Sequence, residues 1–183
     1  GDADLPVGDI LSSTFTAEPD GTMTAQVVVD EWTDPTSDDW LFGETGARWQ
    51  LDANGDGTAE GRAQLSVEGG ALRGGVVGPG GRVRCIGDVT SSAAARSYTV
   101  SFEAVCIGNP ERVQFLTQFA YDDVVFDLES SDSTPGWSPV IVNPAFVTPP
   151  TTPTTPPTTP PTTPTPPPVV PAGSSIVSLS PAR

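Results

Sequence analysis

Hydrophobic and polar residues alternate along most of the first three quarters of the chain. The clearest alternation flanks one polar, glycine-rich turn, with Trp49 and Leu51 before it and Ala63 and Leu65 after it. Because successive side chains of a strand point to opposite faces, each flank predicts a strand with one buried face. The turn contains Asn-Gly and Asp-Gly pairs, which favour hairpins because they tolerate positive φ. The sequence therefore predicts a β-hairpin over residues 48–67.

Shorter alternating runs predict the other strands, and breaks rich in Gly, Pro and Asp separate them. No segment shows helical periodicity over a useful length. The additional predicted strands cover residues 1–16, 22–29, 71–77, 82–86, 97–105, 112–121, 124–128 and 140–142. Short strands at this regular spacing predict an all-β fold, namely an antiparallel, jelly-roll-like β-sandwich over residues 1–147. A β-barrel is the alternative.

The alternating pattern ends at residue 148. Every residue from Thr148 to Pro168 is Thr or Pro, and proline lacks the backbone donor that sheets need. This composition predicts a semi-rigid polyproline-II linker and is typical of O-glycosylated stalks. Residues 169–183 contain a short alternating run, which predicts the start of a further domain or a tail. Because a linker normally joins two parts, we expect the domain to be covalently joined to further C-terminal domains.

The chain is strongly acidic. Its 183 residues include 23 acidic and eight basic residues, all eight being Arg, and the formal net charge is −15. Nucleic acids require basic surfaces, so this charge argues against nucleic acid as a partner, and it argues equally against anionic membranes. No apolar run approaches the roughly 20 residues that cross a bilayer, so no membrane insertion is expected. An acidic surface favours solubility and attracts cations.

Cys85 and Cys106 are the only two cysteines. Each lies at the end of a predicted strand, and an even number of cysteines in an exported domain predicts a disulfide between neighbouring strands. Closing a loop of about 20 residues contributes roughly 3 kcal/mol in the chain-entropy model. The alternative is a pair of buried free thiols. The first four residues resemble a processed N-terminus without a signal peptide, so we expect an extracellular or cell-surface protein.

The turn of the predicted hairpin carries oxygen ligands at alternate positions. The candidate metal ligands are the side chains of Asp52, Asn54, Asp56 and Glu60 and the carbonyl of Thr58. This spacing is typical of calcium loops, and Gly57 at the sixth position allows the sharp turn. The twelfth position is Ala63, which cannot bind a cation, so the loop is not an EF-hand. The pattern predicts a weak calcium site, with a plain hairpin turn as the alternative.

Large aromatic residues lie in an acidic loop over residues 30–44. Trp32, Trp40 and Phe42 are the candidate ligand-binding residues, because exposed rings stack on sugars while carboxylates accept hydroxyl protons. The expected partner is a polysaccharide or a cell-surface component. The alternative is that these rings close one end of the core, since large aromatic side chains are usually buried.

No catalytic arrangement is visible in the sequence. The chain contains no His and no Lys, which excludes Ser-His-Asp triads, His-based zinc sites, Schiff bases and P-loops. A glycosidase needs only two carboxylates. However, adjacent acids such as Asp38–Asp39 and Asp122–Asp123 would point to opposite faces of a strand. We therefore expect no enzyme activity.

Four short patterns are shared with a known group of modules. They are Gly1–Asp2 with Asp9–Ile10, the turn from Trp49 to Glu60, the strand Tyr98–Phe102 leading into Cys106, Gly108 and Pro110, and Trp137–Ser138. Together they resemble secreted cell-surface proteins of high-GC actinobacteria that carry a β-sandwich similar to the DOMON and family-9 carbohydrate-binding group. The resemblance covers about residues 1–143 and implies a non-catalytic module. The segment Leu179–Arg183 resembles the opening of a repeat found in such exported proteins.

These features predict a non-catalytic extracellular binding or adhesion module on a Pro/Thr stalk, with carbohydrate as the ligand and calcium as a stabiliser. Two alternatives remain open. One is a structural spacer domain within a large cell-surface protein or assembly, and the other is an accessory domain of an exported hydrolase. A glycan array distinguishes the first prediction from the spacer domain.

Overall fold

A computed structural model of the chain describes residues 6–42, 45–123 and 128–146. These ranges contain ten β-strands and one five-residue helix. The elements are β1 (Ile10–Ala17), β2 (Thr22–Val29), α1 (Asp38–Phe42), β3 (Gly46–Asp52), β4 (Gly61–Glu68), β5 (Ala71–Val77), β6 (Val83–Ser92), β7 (Ser97–Glu103), β8 (Arg112–Asp123), β9 (Leu128–Ser133) and β10 (Ile141–Val142). Short 3₁₀ turns cover Pro6–Gly8, Pro79–Gly81 and Ala104–Ile107.

The paired strands of the described ranges are antiparallel and follow the order β1-β2-β7-β6-β5-β4-β3-β8. Strands β9 and β10 pair with different parts of the edge of β8 that faces away from β3. Strands β3 to β7 form a meander in which every strand pairs with its neighbour in sequence. The β1–β2 hairpin joins this meander at β7, and β8 joins it at β3.

Strand β6 connects two sheets. Its first half, through Gly87, pairs with β5, and its second half, from Asp88, pairs with β7. A Cβ atom at Gly87 would lie 2.7 Å from the carbonyl oxygen of Ser101, so this close crossing requires glycine. One sheet therefore contains β1, β2, β7 and the end of β6, while the other contains the start of β6, β5, β4, β3 and β8. The result is a barrel-like antiparallel sandwich, and the predicted all-β class is confirmed.

Alternate residues of both sheets fill the core. Met23, Val27, Trp49 and Leu51 are fully buried, and complete burial of a large apolar side chain contributes roughly 1.5–3 kcal/mol. Their polar neighbours in sequence face outward, which is why period-two alternation identified these strands.

Aromatic rings form a cluster at one end of the core. The ring of Tyr98 lies 4.9 Å from that of Trp40 and 5.5 Å from that of Phe119, between ring centroids. Burial raises the pKa of the Tyr98 hydroxyl. This hydroxyl donates to the carbonyl of Thr33 at 2.6 Å and accepts from its N–H at 3.0 Å. Tyr98 thereby anchors the acidic loop to the core.

The predicted disulfide is confirmed. Cys85 on β6 is bonded to Cys106 in the 3₁₀ turn after β7, with Cα atoms 5.7 Å apart. The bond therefore ties β6 to the turn that directly follows its neighbour β7, rather than to β7 itself. Within the described residues, no helix is long and apolar enough to cross a bilayer.

Several predicted boundaries differ from those in the structure. Strand β6 continues to Ser92 rather than ending at residue 86, and the first strand begins at Ile10. The acidic loop contains α1, which periodicity could not indicate because five residues make less than two helical turns. In the predicted strand over 124–128, only Leu128 lies in the described ranges. The predicted linker over 148–168 and the segment 169–183 lie outside them.

Candidate metal centre

The β3–β4 hairpin carries an eight-residue loop, 53–60, at the end of the sheet. Leu51 pairs with Gly61 across the hairpin, and the N–H of Glu60 donates to the carbonyl of Leu51 at 3.0 Å. Gly55 and Gly57 have φ values of 80° and 83°, a conformation that costs glycine little. The Asn-Gly and Asp-Gly pairs therefore shape the turn in the way the sequence predicts.

Asp52 organises the loop from within. Its side chain is 1% exposed, yet it accepts three backbone hydrogen bonds. Oδ1 accepts from the N–H groups of Gly55 at 2.6 Å and Asn54 at 3.1 Å, and Oδ2 accepts from Gly57 at 2.7 Å. Burial alone would raise the pKa of Asp52, but these N–H groups outweigh it and hold the pKa below its usual value. The carboxylate is therefore kept in its charged form.

Two further carboxylates complete the cluster. Asp56 Oδ1 accepts from the N–H of Thr58 at 2.7 Å, and Glu60 Oε2 accepts from the N–H of Ala53 at 2.6 Å. The amide nitrogen Nδ2 of Asn54 donates to Asp56 at 3.1 Å and to Glu60 at 2.8 Å. Asn54 thus links the two carboxylates that lie nearest to solvent.

One oxygen from each of Asp52, Asp56 and Glu60 lies within 4.8 Å of the others. Calcium–oxygen distances are about 2.3–2.6 Å, so oxygens on opposite sides of one ion lie up to roughly 5 Å apart. Each carboxylate also has more lone pairs than the hydrogen bonds described above use. These three side chains can therefore hold one metal ion.

The structure brings together three of the five predicted metal ligands. Asn54 lies in the same cluster, but its Oδ1 accepts from the N–H of Asp56 at 2.8 Å and its Nδ2 faces the carboxylates. Binding of a cation by Asn54 would require its amide to rotate, because an NH₂ group offers no lone pair. Thr58 is exposed, and its N–H contacts Asp56. The sequence showed the acids but not the backbone donors that orient them.

Of the predicted aromatic ligand-binding residues, the structure describes the side chains of Trp32 and Trp40, and both pack against Tyr98. Trp40 is 1% exposed and packs against Tyr98 and Phe119, so it belongs to the core, as the alternative interpretation held. Trp32 is partly buried and stacks on Tyr98 at a centroid distance of 6.3 Å. Trp40 therefore offers no exposed ring for stacking, because it lies in the short helix with its ring buried in the core. The side chain of Phe42 lies outside the described part of the structure.

Comparisons of this chain with protein-family models, with curated proteins and with solved structures gave no match. The resemblance to the DOMON and family-9 carbohydrate-binding group therefore stays a prediction.

Proposed function

We propose that this domain is a non-catalytic extracellular binding module whose β3–β4 loop binds calcium. The observation that carries the calcium proposal is the convergence of Asp52, Asp56 and Glu60, with oxygens within 4.8 Å of one another. All of the available ligands are oxygen atoms, which suit hard cations rather than zinc or copper. The disulfide between Cys85 and Cys106 supports an extracellular location, since such bonds persist in oxidising compartments.

Calcium fits this loop better than magnesium. Magnesium demands near-ideal octahedral geometry at short distances, whereas calcium accepts irregular sets of oxygen ligands and water. Asp52 ends β3, Asp56 and Glu60 lie in the loop that follows, and backbone N–H groups already occupy part of each carboxylate. We therefore expect a dissociation constant of about 1 mM, in the range of extracellular calcium modules.

The test is thermal unfolding of the full chain in 10 mM calcium and in excess chelator. With a dissociation constant of about 1 mM, calcium stabilises the folded state by roughly 1.4 kcal/mol, which raises Tm by about 4 °C. The double variant Asp56→Asn, Glu60→Gln should lose this shift. Asp88→Asn, which removes one acidic group at an exposed position on β6, is the control and should keep it. Equal midpoints in calcium and in chelator would contradict the proposal.

The non-catalytic role is supported by the sequence, which contains neither His nor Lys. The ligand that we propose is a polysaccharide, in line with the resemblance described above. Because Trp40 is buried, its ring is not available to this ligand. A glycan array with the full chain tests the proposal, and a lack of binding to every glycan would favour the spacer-domain alternative.

A further inference from the structure

Three of the eight arginines lie on one outward face of the sheet. We call this the arginine face, and it comprises the outward residues Arg48, Gln50, Arg62, Gln64, Ser66 and Arg73 of β3, β4 and β5. These positions alternate with core residues such as Trp49, Ala63 and Leu65, so their side chains share the solvent side.

The strand register places these residues next to one another. Arg48 lies opposite Gln64, Arg62 lies opposite Gln50, and Arg73 lies opposite Ser66. From strand spacing and rise per residue, the Cα atoms of Arg48 and Arg62 are about 8 Å apart, and Arg73 lies roughly 12–14 Å from both. The arginine face therefore carries three positively charged side chains about 8–14 Å apart, with amide and hydroxyl groups between them.

Within the described part of the chain, no ion pair neutralises the arginines of this face. Among the described residues, the ion pairs are Arg96 with Asp30 and Arg112 with Glu111, and neither involves the arginine face. Arg62 uses its Nε to donate to Gln64 at 2.9 Å, which leaves its terminal N–H groups available. The single exposed acid at an outward position of these three strands is Glu68, at the end of β4. This is notable in a chain with 23 acidic residues.

We propose that the arginine face binds a linear polysaccharide that carries uronic-acid carboxylates. This inference rests on the proposed binding function and names its ligand class. Guanidinium groups bind carboxylates in bidentate fashion, and the Gln and Ser side chains between them match the hydroxyl groups of sugars. Carboxylates spaced along a sugar chain complement cations that are spaced along the face.

Other anionic partners fit this face less well. Backbone groups of β3, of β4 from Arg62 to Ser66 and of β5 from Gly74 to Val77 are paired with strands on both sides. A peptide therefore cannot add as a further strand along this part of the face. The face also lacks the aromatic anchors that are typical of protein–protein hot spots. A nucleic acid duplex carries one negative charge per about 1.7 Å of its axis, which is a denser charge than three arginines spaced about 8–14 Å apart can neutralise.

The test uses polygalacturonate and its fully methyl-esterified form, which has the same backbone without free carboxylates. Binding to the full chain is measured by titration calorimetry in chelator, so that calcium cannot contribute. We expect the esterified polymer to bind at least tenfold more weakly. The double variant Arg48→Gln, Arg62→Gln should weaken binding to polygalacturonate by tenfold or more, since hydrogen bonds to charged groups are strong.

As a control, Arg96→Gln removes one positive charge from the turn between β6 and β7, outside the arginine face, and should change affinity less than twofold. Thermal unfolding confirms that each variant is folded. The inference would be overturned if the esterified polymer bound as tightly as polygalacturonate. It would also be overturned if Arg96→Gln weakened binding as much as the double variant does. Tighter binding of polyglutamate than of polygalacturonate would overturn it in favour of an acidic protein partner. If the chain bound neutral glycans but no uronic-acid polymer, the inference about the ligand class would be wrong, whereas the proposed binding function would still hold.

Discussion

At the scale of single residues, Asp52 shows how a buried charge is tolerated. Its carboxylate lies under the loop at 1% exposure, where an unsatisfied charge would be strongly destabilising. Three backbone N–H groups, from Asn54, Gly55 and Gly57, satisfy it instead. The same side chain therefore shapes the turn and supplies an oxygen to the candidate metal centre.

Asp52→Asn should destabilise the domain at neutral pH by about 2 kcal/mol, because a neutral amide accepts these hydrogen bonds more weakly than a carboxylate does. The pKa of Asp52 is lower in the folded state than its ordinary value of 3.8. The charged carboxylate therefore stabilises the domain fully at pH values above 3.8, and this stabilisation is lost as the pH falls through the pKa of the folded state. The difference between wild type and variant, measured by urea unfolding in chelator, should therefore shrink below pH 4. A difference that stays constant with pH would contradict this explanation.

Trp40→Ala should act on stability rather than on ligand binding. Trp40 is buried against Tyr98 and Phe119, and removal of a buried Trp typically costs about 3–5 kcal/mol. We expect a lower midpoint in urea, measured by the fluorescence of the remaining tryptophans. Leu41→Ala changes an exposed neighbour on the same helix and should have little effect. A fully stable Trp40→Ala variant would show that the ring does not belong to the core.

At the scale of elements, alternation located most of the strands whose buried face is apolar. Strands β2 and β5 span the residues that the pattern predicts, 22–29 and 71–77. The pattern could not show that β6 continues past residue 86, because Ile86 there is 85% exposed and the strand changes sheets. In the candidate centre, sequence spacing predicted the three acids. It could not predict the orientation of the Asn54 amide, which depends on the folded loop.

The crossing of β6 between the sheets depends on Gly87. A Cβ atom at this position would lie 2.7 Å from the backbone oxygen of Ser101, and the backbone cannot move away without breaking the β6–β7 pairing. Gly87→Ala should therefore destabilise the domain by about 1–3 kcal/mol, as measured by urea unfolding. Ser91→Ala, at an exposed position on the same strand, is the control. Equal stability of both variants would mean that the crossing of β6 at residue 87 accommodates a larger side chain.

At the scale of the whole molecule, the disulfide holds the end of the meander together. Cys85 and Cys106 are 21 residues apart in sequence, so the bond restricts a loop of moderate length in the unfolded chain. The double variant Cys85→Ser, Cys106→Ser should lose about 3 kcal/mol of stability. Chemical unfolding of the oxidised wild type and the variant measures this loss. Equal midpoints would show that the bond contributes no net stability.

The order of the strands also has a consequence for kinetics. Strands β3 to β7 pair with sequence neighbours, whereas the β2–β7 and β3–β8 pairings join residues about 70 positions apart. Closing such long loops costs more entropy than forming hairpins. We therefore expect the central strands to assemble early and the two distant pairings to form after the rate-limiting barrier. Thr117, which lies on β8 in the late β3–β8 pairing, would then govern the lifetime of the finished domain rather than the speed at which it forms.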